Sequence, residues 1–359
     1  DNMRLKFPIV AMLTGLAMFS SAFAKTQVSA YYYDTQDPFI QIFDKALKQI
    51  AKNYDCRAES FDAGSSVLLQ KDQLNKAFEN ESALLVNLID PTMADEVVAN
   101  AQATNSRLIF FNRQPSDSAL EAYDNAWYVG TSSTLAGKYQ AQIVFDFLSE
   151  TKQFDKNQNG YLDVIFLKGK EFDEESDQRT ISFVEELVND GIRINPLSLI
   201  IADFKTEPAY LKMKSLLAHI SLNDIEVIVA NNDAMALGAL KALQECGYNL
   251  NGDAKSFIPI VGTGGIPKAF EAIEKKQMLG TVFTDFTALA LVSLRIAKSV
   301  GGYYDETLQD TIWFSYDGRK IILPFTKVAF FKNYFHTTKP YAIKKLDDDV
   351  HNVRQYYIH

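Results

Sequence analysis

From Val28 onward the chain alternates short apolar runs with amphipathic stretches of helical period. Residues 28–33 read as a strand. Residues 39–54 read as a helix whose apolar stripe carries Phe43, Leu47 and Ile50. The run Ala83-Leu84-Leu85-Val86-Asn87-Leu88 is apolar at nearly every position, as a strand buried on both faces should be. A helix over 94–103, a strand over 108–111 and a short strand ending at Gly130 follow. The rhythm then restarts, with helices over 135–150, 178–190, 208–218 and 233–246. Between and after them, strands fall at 163–167, 197–202, 227–230 and 258–262. A helix over 266–276, a strand over 280–284, a helix over 286–300 and a strand over 320–323 complete the pattern. Two successive βαβαβ series predict an α/β fold of two doubly wound, Rossmann-like parallel-sheet domains. No Pro/Ser-rich linker separates them, so the chain is expected to cross at several short hinges. Residues 330–359 are aromatic and charged without a period, and read as a docked or disordered tail.

Composition refines this only at the edges. With 359 residues there is room for two full cores. An excess of 45 acidic over 36 basic residues argues against a nucleic-acid or anionic-membrane partner. Met3-Arg4-Leu5-Lys6, the apolar stretch 9–19 and Ala22-Phe23-Ala24 have the order of a secretory signal. Residues 3–24 are therefore expected to be removed on export, with the mature chain starting near Lys25 and not inserted in the membrane. Asp1 and Asn2 precede the first Met as leader residues. Cys56 and Cys246 fall in different halves, which predicts two buried thiols and no bridge. His219, His336, His351 and His359 form no metal-ligand spacing.

One loop carries specific chemistry. Asp155, Asn157, Asn159 and Asp163 stand at positions 1, 3, 5 and 9, with Gly160 at 6 and the Tyr161 carbonyl at 7. That is the first three-quarters of an EF-hand loop, in which alternating side-chain oxygens surround a hard cation. Position 12 is Phe166, inside an expected strand, where a bidentate Glu belongs. The loop equally reads as a polar Asn/Gly turn before a strand.

In open α/β sheets ligands bind beyond the carboxyl ends of the strands. Polar and aromatic residues gather there: Asp34, Asp37 and Phe39; Asn112 and Arg113; the acidic run 171–177 leading to Arg179; Asp203 and Phe204; Asn231, Asn232 and Asp233; Thr263, Gly264 and Gly265; Thr284 and Asp285. Carboxylates and amides accept hydroxyl protons, Arg donates, and aromatic faces pack on a sugar's C–H face, so the set suits a small polyhydroxylated ligand. Each also has a structural reading. Asp34 and Asp233 could cap helices or shape turns, Asn232 could end its strand, and 171–177 could be a solvated helix start.

The segments Ile225-Glu226-Val227-Ile228-Val229-Ala230-Asn231-Asn232-Asp233-Ala234-Met235-Ala236, Phe110-Phe111-Asn112-Arg113-Gln114-Pro115, Tyr128-Val129-Gly130-Thr131, Leu167-Lys168-Gly169 and Gly280-Thr281-Val282 resemble those of bacterial periplasmic galactose/glucose-binding proteins. The likeness runs from about Val28 to Val328. It implies a type I periplasmic binding protein with one lobe of 25–131 plus 285–322 and a second of 132–284 plus 323–335. The signal segment 1–24 and a tail of 336–359 lie outside the lobes, with crossings near Thr131, Thr284 and Leu323. It implies a structural Ca2+ held by Asp155, Asn157, Asn159, Tyr161 and Asp163, with Glu226 supplying the missing carboxylate. Asn at position 5 and Asp at position 9 replace the family's Asp and Gln, keeping three negative ligands.

For the sugar the resemblance implies Asp37, Phe39, Asn112, Arg179 and Asn232 as matching contacts. Five positions depart: Asp173 for His, Glu175 for Asp, Phe204 for a stacking Trp, Gly264 for an acidic acceptor and Thr284 for Asn. Losing the acceptor at 264 should weaken the family's hexose by a few kcal/mol or change the ligand. The implied function is capture of a small sugar or polyol by a monomer that delivers it to an ABC permease, a chemoreceptor or both. A purely sensory protein with a non-hexose ligand is one alternative. A glycosidase is another, but Asp173 and Glu175 stand two apart on one loop and not across a cleft. No G-x-S-x-G or H-E-x-x-H occurs, so nucleophilic or zinc chemistry lacks its parts. The effector domain of a repressor shares the fold but fits poorly with a signal segment.

Overall fold

The computed structural model describes residues 26–80, 83–298, 315–317 and 319–332. The expected signal segment (1–24) and the tail of 336–359 lie outside them. In chain order, β1 (Thr26–Tyr32), α1 (Pro38–Asn53), β2 (Cys56–Asp62), α2 (Val67–Phe78), β3 (Ala83–Val86), α3 (Ala94–Thr104), β4 (Arg107–Phe111), α4 (Asp117–Glu121) and β5 (Ala126–Thr131) build the first sheet. The second takes α5 (Ser133–Thr151), β6 (Leu162–Lys168), α6 (Glu174–Asn189), β7 (Ile194–Ile201), α7 (Thr206–Leu217), β8 (Val227–Ala230), α8 (Asp233–Glu245), β9 (Ile260–Gly264), α9 (Pro267–Glu274) and β10 (Gly280–Thr284). The chain then returns through α10 (Phe286–Lys298), β11 (Ser315–Asp317) and β12 (Lys320–Leu323) before β13 (Phe325–Ala329) rejoins the second sheet.

The strand orders are β11-β12-β5-β4-β3-β1-β2 and β13-β10-β9-β8-β6-β7. Both sheets are parallel except at one edge each, where β11 pairs antiparallel with β12 and β13 with β10. The chain therefore passes between sheets after Thr131, after Thr284 and after Leu323. Central strands are buried throughout: every residue of β6 and β8 is inside, consistent with a parallel sheet covered on both faces. Helices α1 and α10 cover one face of the first sheet around Phe43, Leu47 and Leu291, and α2 to α4 cover the other. In the second, α7 to α9 and α5 with α6 do the same. Each buried Leu or Phe contributes about 1.5–3 kcal/mol, so each lobe has a core of its own.

Several expectations are corrected. β2 and α2 carried no readable pattern, because β2 is a half-buried edge strand and α2 buries only Gln70, Leu74, Ala77 and Phe78. β9 begins two residues later than expected and runs through two glycines, both poor strand formers by composition. Asp34 caps no helix; Asp37 caps α1. Asn232, not Asp233, caps α8. Cys56 is buried but Cys246 is exposed, and both thiols are free. At the start of the expected tail, Phe330 and Phe331 pack against the second core, and Lys332 bridges to Ala329.

Candidate functional site

The carboxyl ends of the strands of both sheets face one cleft, and all ten ligand positions expected from the sequence line it: Asp37, Phe39, Asn112, Asp173, Glu175, Arg179, Phe204, Asn232, Gly264 and Thr284. The space is about 720 Å³ including its open mouth. Tyr33, Arg113, Thr263, Ile266 and Phe325 line it too. None of these five belonged to the expected ligand set. Arg113 and Thr263 had a signal, since both stand among the polar residues at strand ends; Tyr33, Ile266 and Phe325 are placed by tertiary packing alone.

On the first lobe, Asp37 uses one carboxylate oxygen to cap α1, accepting the Phe39 N–H at 2.7 Å. The other accepts the Tyr33 hydroxyl. Burial pushes the Asp37 carboxyl up to about 6, against the opposing pull of the Phe39 N–H, Arg113 and Lys205. Arg113 lies 4.1 Å over the Tyr33 ring and donates to the carbonyls of Leu88 (3.1 Å) and Ile89 (2.5 Å). Its remaining charge faces Asp173, Glu175 and Asp37. Asn112 adopts φ 65°, a left-handed turn that Asn tolerates, and this aims the chain into the cleft.

On the second lobe, Asp173 caps α6 by accepting the Ser176 N–H at 2.8 Å. The acidic run is thus a helix start, and it also lines the cleft. Glu175 reaches across: its carboxylate accepts the Gln114 N–H of the first lobe at 2.9 Å. Burial raises its pKa to about 7, with Arg179 and the Gln114 N–H opposing. Arg179 donates to Asn231 O at 2.5 Å and to Ser133 Oγ at 3.3 Å, while its buried Nε has no protein partner. Asn232 both caps α8 through Met235 N–H (3.0 Å) and donates to Phe204 O at 3.0 Å. Asp203 and Phe204 are successive left-handed residues (φ 53° and 59°), a strained turn that lays the Phe204 ring over Gly169. A Cβ on Gly169 would stand 2.0 Å from that ring, so only glycine leaves room.

Further contacts join the lobes. Lys205 lies 3.6 Å from Asp34, and Ile42 of α1 packs into a second-lobe core.

The loop before β6 is a separate centre. Asp155 accepts the Gly160 N–H at 3.0 Å, with Gly160 at φ 82°. Asp163 accepts the side-chain amides of Asn157 (2.7 Å), Asn159 (2.8 Å) and Asn195 (2.5 Å). Asn195 was not anticipated; it comes from β7, alongside Asp163 in the register. Glu226 accepts the N–H groups of Lys156 (2.5 Å) and Asp163 (3.0 Å), which ties the loop to the start of β8. Burial raises the Glu226 pKa, opposed by those two N–H bonds. Asp163 and Glu226 are both 1% exposed, and Asp155, Asp163 and Glu226 accept from amide and backbone N–H groups. That donor set suits a hard cation. The orientation differs from a loaded site. Asn157 and Asn159 turn their N–H groups toward Asp163 and spend their oxygens on the Asn159 and Tyr161 N–H groups. Among the described residues no group of three or more His, Cys, Asp or Glu is arranged to hold a metal.

No described helix is long and apolar enough to cross a membrane. A family model described as a periplasmic binding protein domain matches residues 29–302. The chain is similar to the D-galactose/methyl-galactoside binding periplasmic protein of Haemophilus influenzae, with 31% identity over 281 residues, 77% of this chain and 82% of the relative. It is also similar to the ribose import binding protein of Escherichia coli, with 26% identity over 286 residues, 76% of this chain and 84% of the relative. Among solved structures, an ABC transporter solute binding protein from Bacillus halodurans with bound myo-inositol superposes with a TM-score of 0.67. The identity is 21%, covering 93% of this chain and 97% of that one. Two lobes with open α/β sheets, a ligand cleft at the strand ends and a family match over most of the length lead to one conclusion: the chain belongs to the periplasmic binding protein family.

Proposed function

We propose that this protein captures a small carbohydrate or polyol between its lobes and presents it to an ABC permease, a chemoreceptor or both. The observation that supports this reading most is the composition of the cleft: carboxylates, amides and guanidinium groups beside the rings of Phe39, Phe204 and Phe325, with Arg179 Nε buried and awaiting an acceptor. Binding and hinge closure are its chemistry; it is not an enzyme. Export follows from the expected signal over 3–24, and cleavage near Lys25 is read by mass spectrometry of the secreted protein. Calorimetry with galactose, glucose, ribose, xylitol and myo-inositol tests the ligand class. Saturable binding of at least one at micromolar concentration is expected, and the absence of any binding would overturn the reading.

We further propose that Asp155, Asn157, Asn159, Asp163, Glu226 and the Tyr161 carbonyl hold a structural Ca2+. The buried acids with only N–H partners support it, and both Asn side chains would have to turn their oxygens inward. The cation would supply positive charge that neutralises three acids and fastens the loop to β8. Adding EDTA to metal-replete protein should lower the melting temperature by several degrees; an unchanged melt removes the site.

A further inference from the structure

The cleft is chemically lopsided, and the strand order of the second sheet explains how. Reading β13-β10-β9-β8-β6-β7, the charged and amide groups follow β8 and β6: Asn232, Asp173, Glu175 and Arg179. Opposite them on the first lobe, Asp37 and Arg113 complete a cluster whose members feel one another's charge. The other half, beyond β9, β10 and β13, offers Gly264, Ile266, Thr284 and Phe325. Phe39 closes this half from the first lobe: it packs into the same core cluster as Ile266 and edge-on against Phe286.

Asp233, the acid that lines this half, is spent. Asp233 is 1% exposed, and its carboxylate already accepts the Gly265 N–H (2.6 Å), the Ile266 N–H (3.0 Å) and the Thr281 hydroxyl (2.7 Å). Nor does the backbone favour a longer acceptor at the adjoining position. Gly264 sits at φ 129°, which side-chain-bearing residues rarely adopt, and a Cβ there would face Asp233 Oδ2 at 3.5 Å. Among side chains, sugar hydroxyls seated in this half would lose water and meet only the neutral hydroxyls of Thr263 and Thr284. An unmet hydroxyl in such a place costs about 1–3 kcal/mol.

We propose that the ligand is a monosaccharide deoxygenated along one edge, with its hydroxyls gathered at the Asp37/Glu175/Arg179 side and its methyl or methylene edge against Gly264, Ile266 and Phe39. The proposal rests on the carbohydrate reading above and deepens it. Calorimetry compares galactose and glucose with their 2-deoxy, 3-deoxy and 6-deoxy analogues on the intact mature protein. At least one deoxy analogue should bind as tightly as its parent or tighter, with a tenfold gain expected for the matching position. If parent sugars bind and every deoxy analogue is weaker, this inference fails while the carbohydrate reading stands. If neither these sugars nor ribose, xylitol or myo-inositol bind, the carbohydrate reading fails and this one with it. Ile266→Thr places a hydroxyl in the apolar half and should narrow the deoxy preference at least threefold. An unchanged ratio in a variant with wild-type melting would also overturn the assignment.

Discussion

The cleft and the loop at 155–163 both concentrate acids and amides, yet they are assembled in opposite ways. The loop draws five of its six expected groups from nine consecutive residues and adds Glu226 from the neighbouring strand of the same sheet. The cleft draws its groups from strand ends on both sheets, and no pair of lobes held apart would make it. A local assembly can be complete whatever the lobes do, so its energy goes into stability. A dispersed one exists only in the closed molecule, so its energy goes into closure and recognition. Perturbing each should therefore move different observables.

Arg179→Ala should have the largest effect. The guanidinium holds Asn231 O and Ser133 Oγ and is the cation that most opposes the buried charge of Glu175. Removing it deletes the buried charged donor, unpartnered at Nε, that a ligand oxygen would meet, a loss of about 1.5–3 kcal/mol, or roughly ten- to a hundredfold in affinity. Sugar affinity by calorimetry should fall by about that factor while the EDTA-induced shift in melting persists. If melting and metal response collapse together with affinity, the two regions are not separable.

Glu226→Gln is the reciprocal change. One accepting oxygen is replaced by an amide that cannot serve both the Lys156 and Asp163 N–H groups. Stability should drop by about 1–3 kcal/mol, and the response to EDTA should disappear. Affinity for the sugar should stay within about threefold, since nothing in the loop lines the cleft. A large loss of affinity would show that the loop positions the cleft after all.

pH is the next lever on the cleft. Glu175 and Asp37 are pushed up to about 7 and 6 from ordinary values of 4.5 and 3.8, mainly by burial. The folded, closed state then holds protons that the unfolded chain has released, so stability falls as pH rises from about 4 to about 7. Ligand-free protein should melt higher at pH 5.5 than at pH 7.5. Glu175→Gln should remove the part of that dependence lying between about 4.5 and 7. A slope unchanged in this variant would mean that Glu175 is not the group sensed.

The same contrast governs what could be read from the sequence. β8 and β10 were legible to the residue, because a short apolar run between turn-forming residues has few other folds. The loop was legible because its spacing is local, although Glu226 came only through family resemblance. Asn195 was invisible: its amide meets Asp163 through the β6/β7 register, which no local pattern specifies. In the cleft, strand-end polar residues stood out, but Ile266 and Phe325 look like ordinary core. Only the sheet order puts them on the neutral side of the cleft. The roles of Asp37 and Asp173 as helix caps show a further limit. A residue can satisfy the structural reading and the functional one at once, and sequence alone treats these as rivals.

The smallest effect should come from Lys205→Ala, and it tests whether closure has an electrostatic part. Lys205 is 55% exposed and meets Asp34 across the cleft at 3.6 Å, a geometry worth no more than about 1 kcal/mol and screened by salt. Affinity should fall by no more than about fivefold at low ionic strength, and the deficit should shrink at high salt. A matched change beside the loop, Arg193→Ala, removes a guanidinium 4.9 Å over the Tyr161 ring. It should cost a comparable fraction of a kcal/mol in melting and nothing in affinity. Two substitutions of similar size would then report on different quantities solely because one contact spans the lobes and the other lies within one. If Arg193→Ala weakened sugar binding as much as Lys205→Ala, that distinction would fail at the weakest contacts, where indirect effects have the least energy to hide behind.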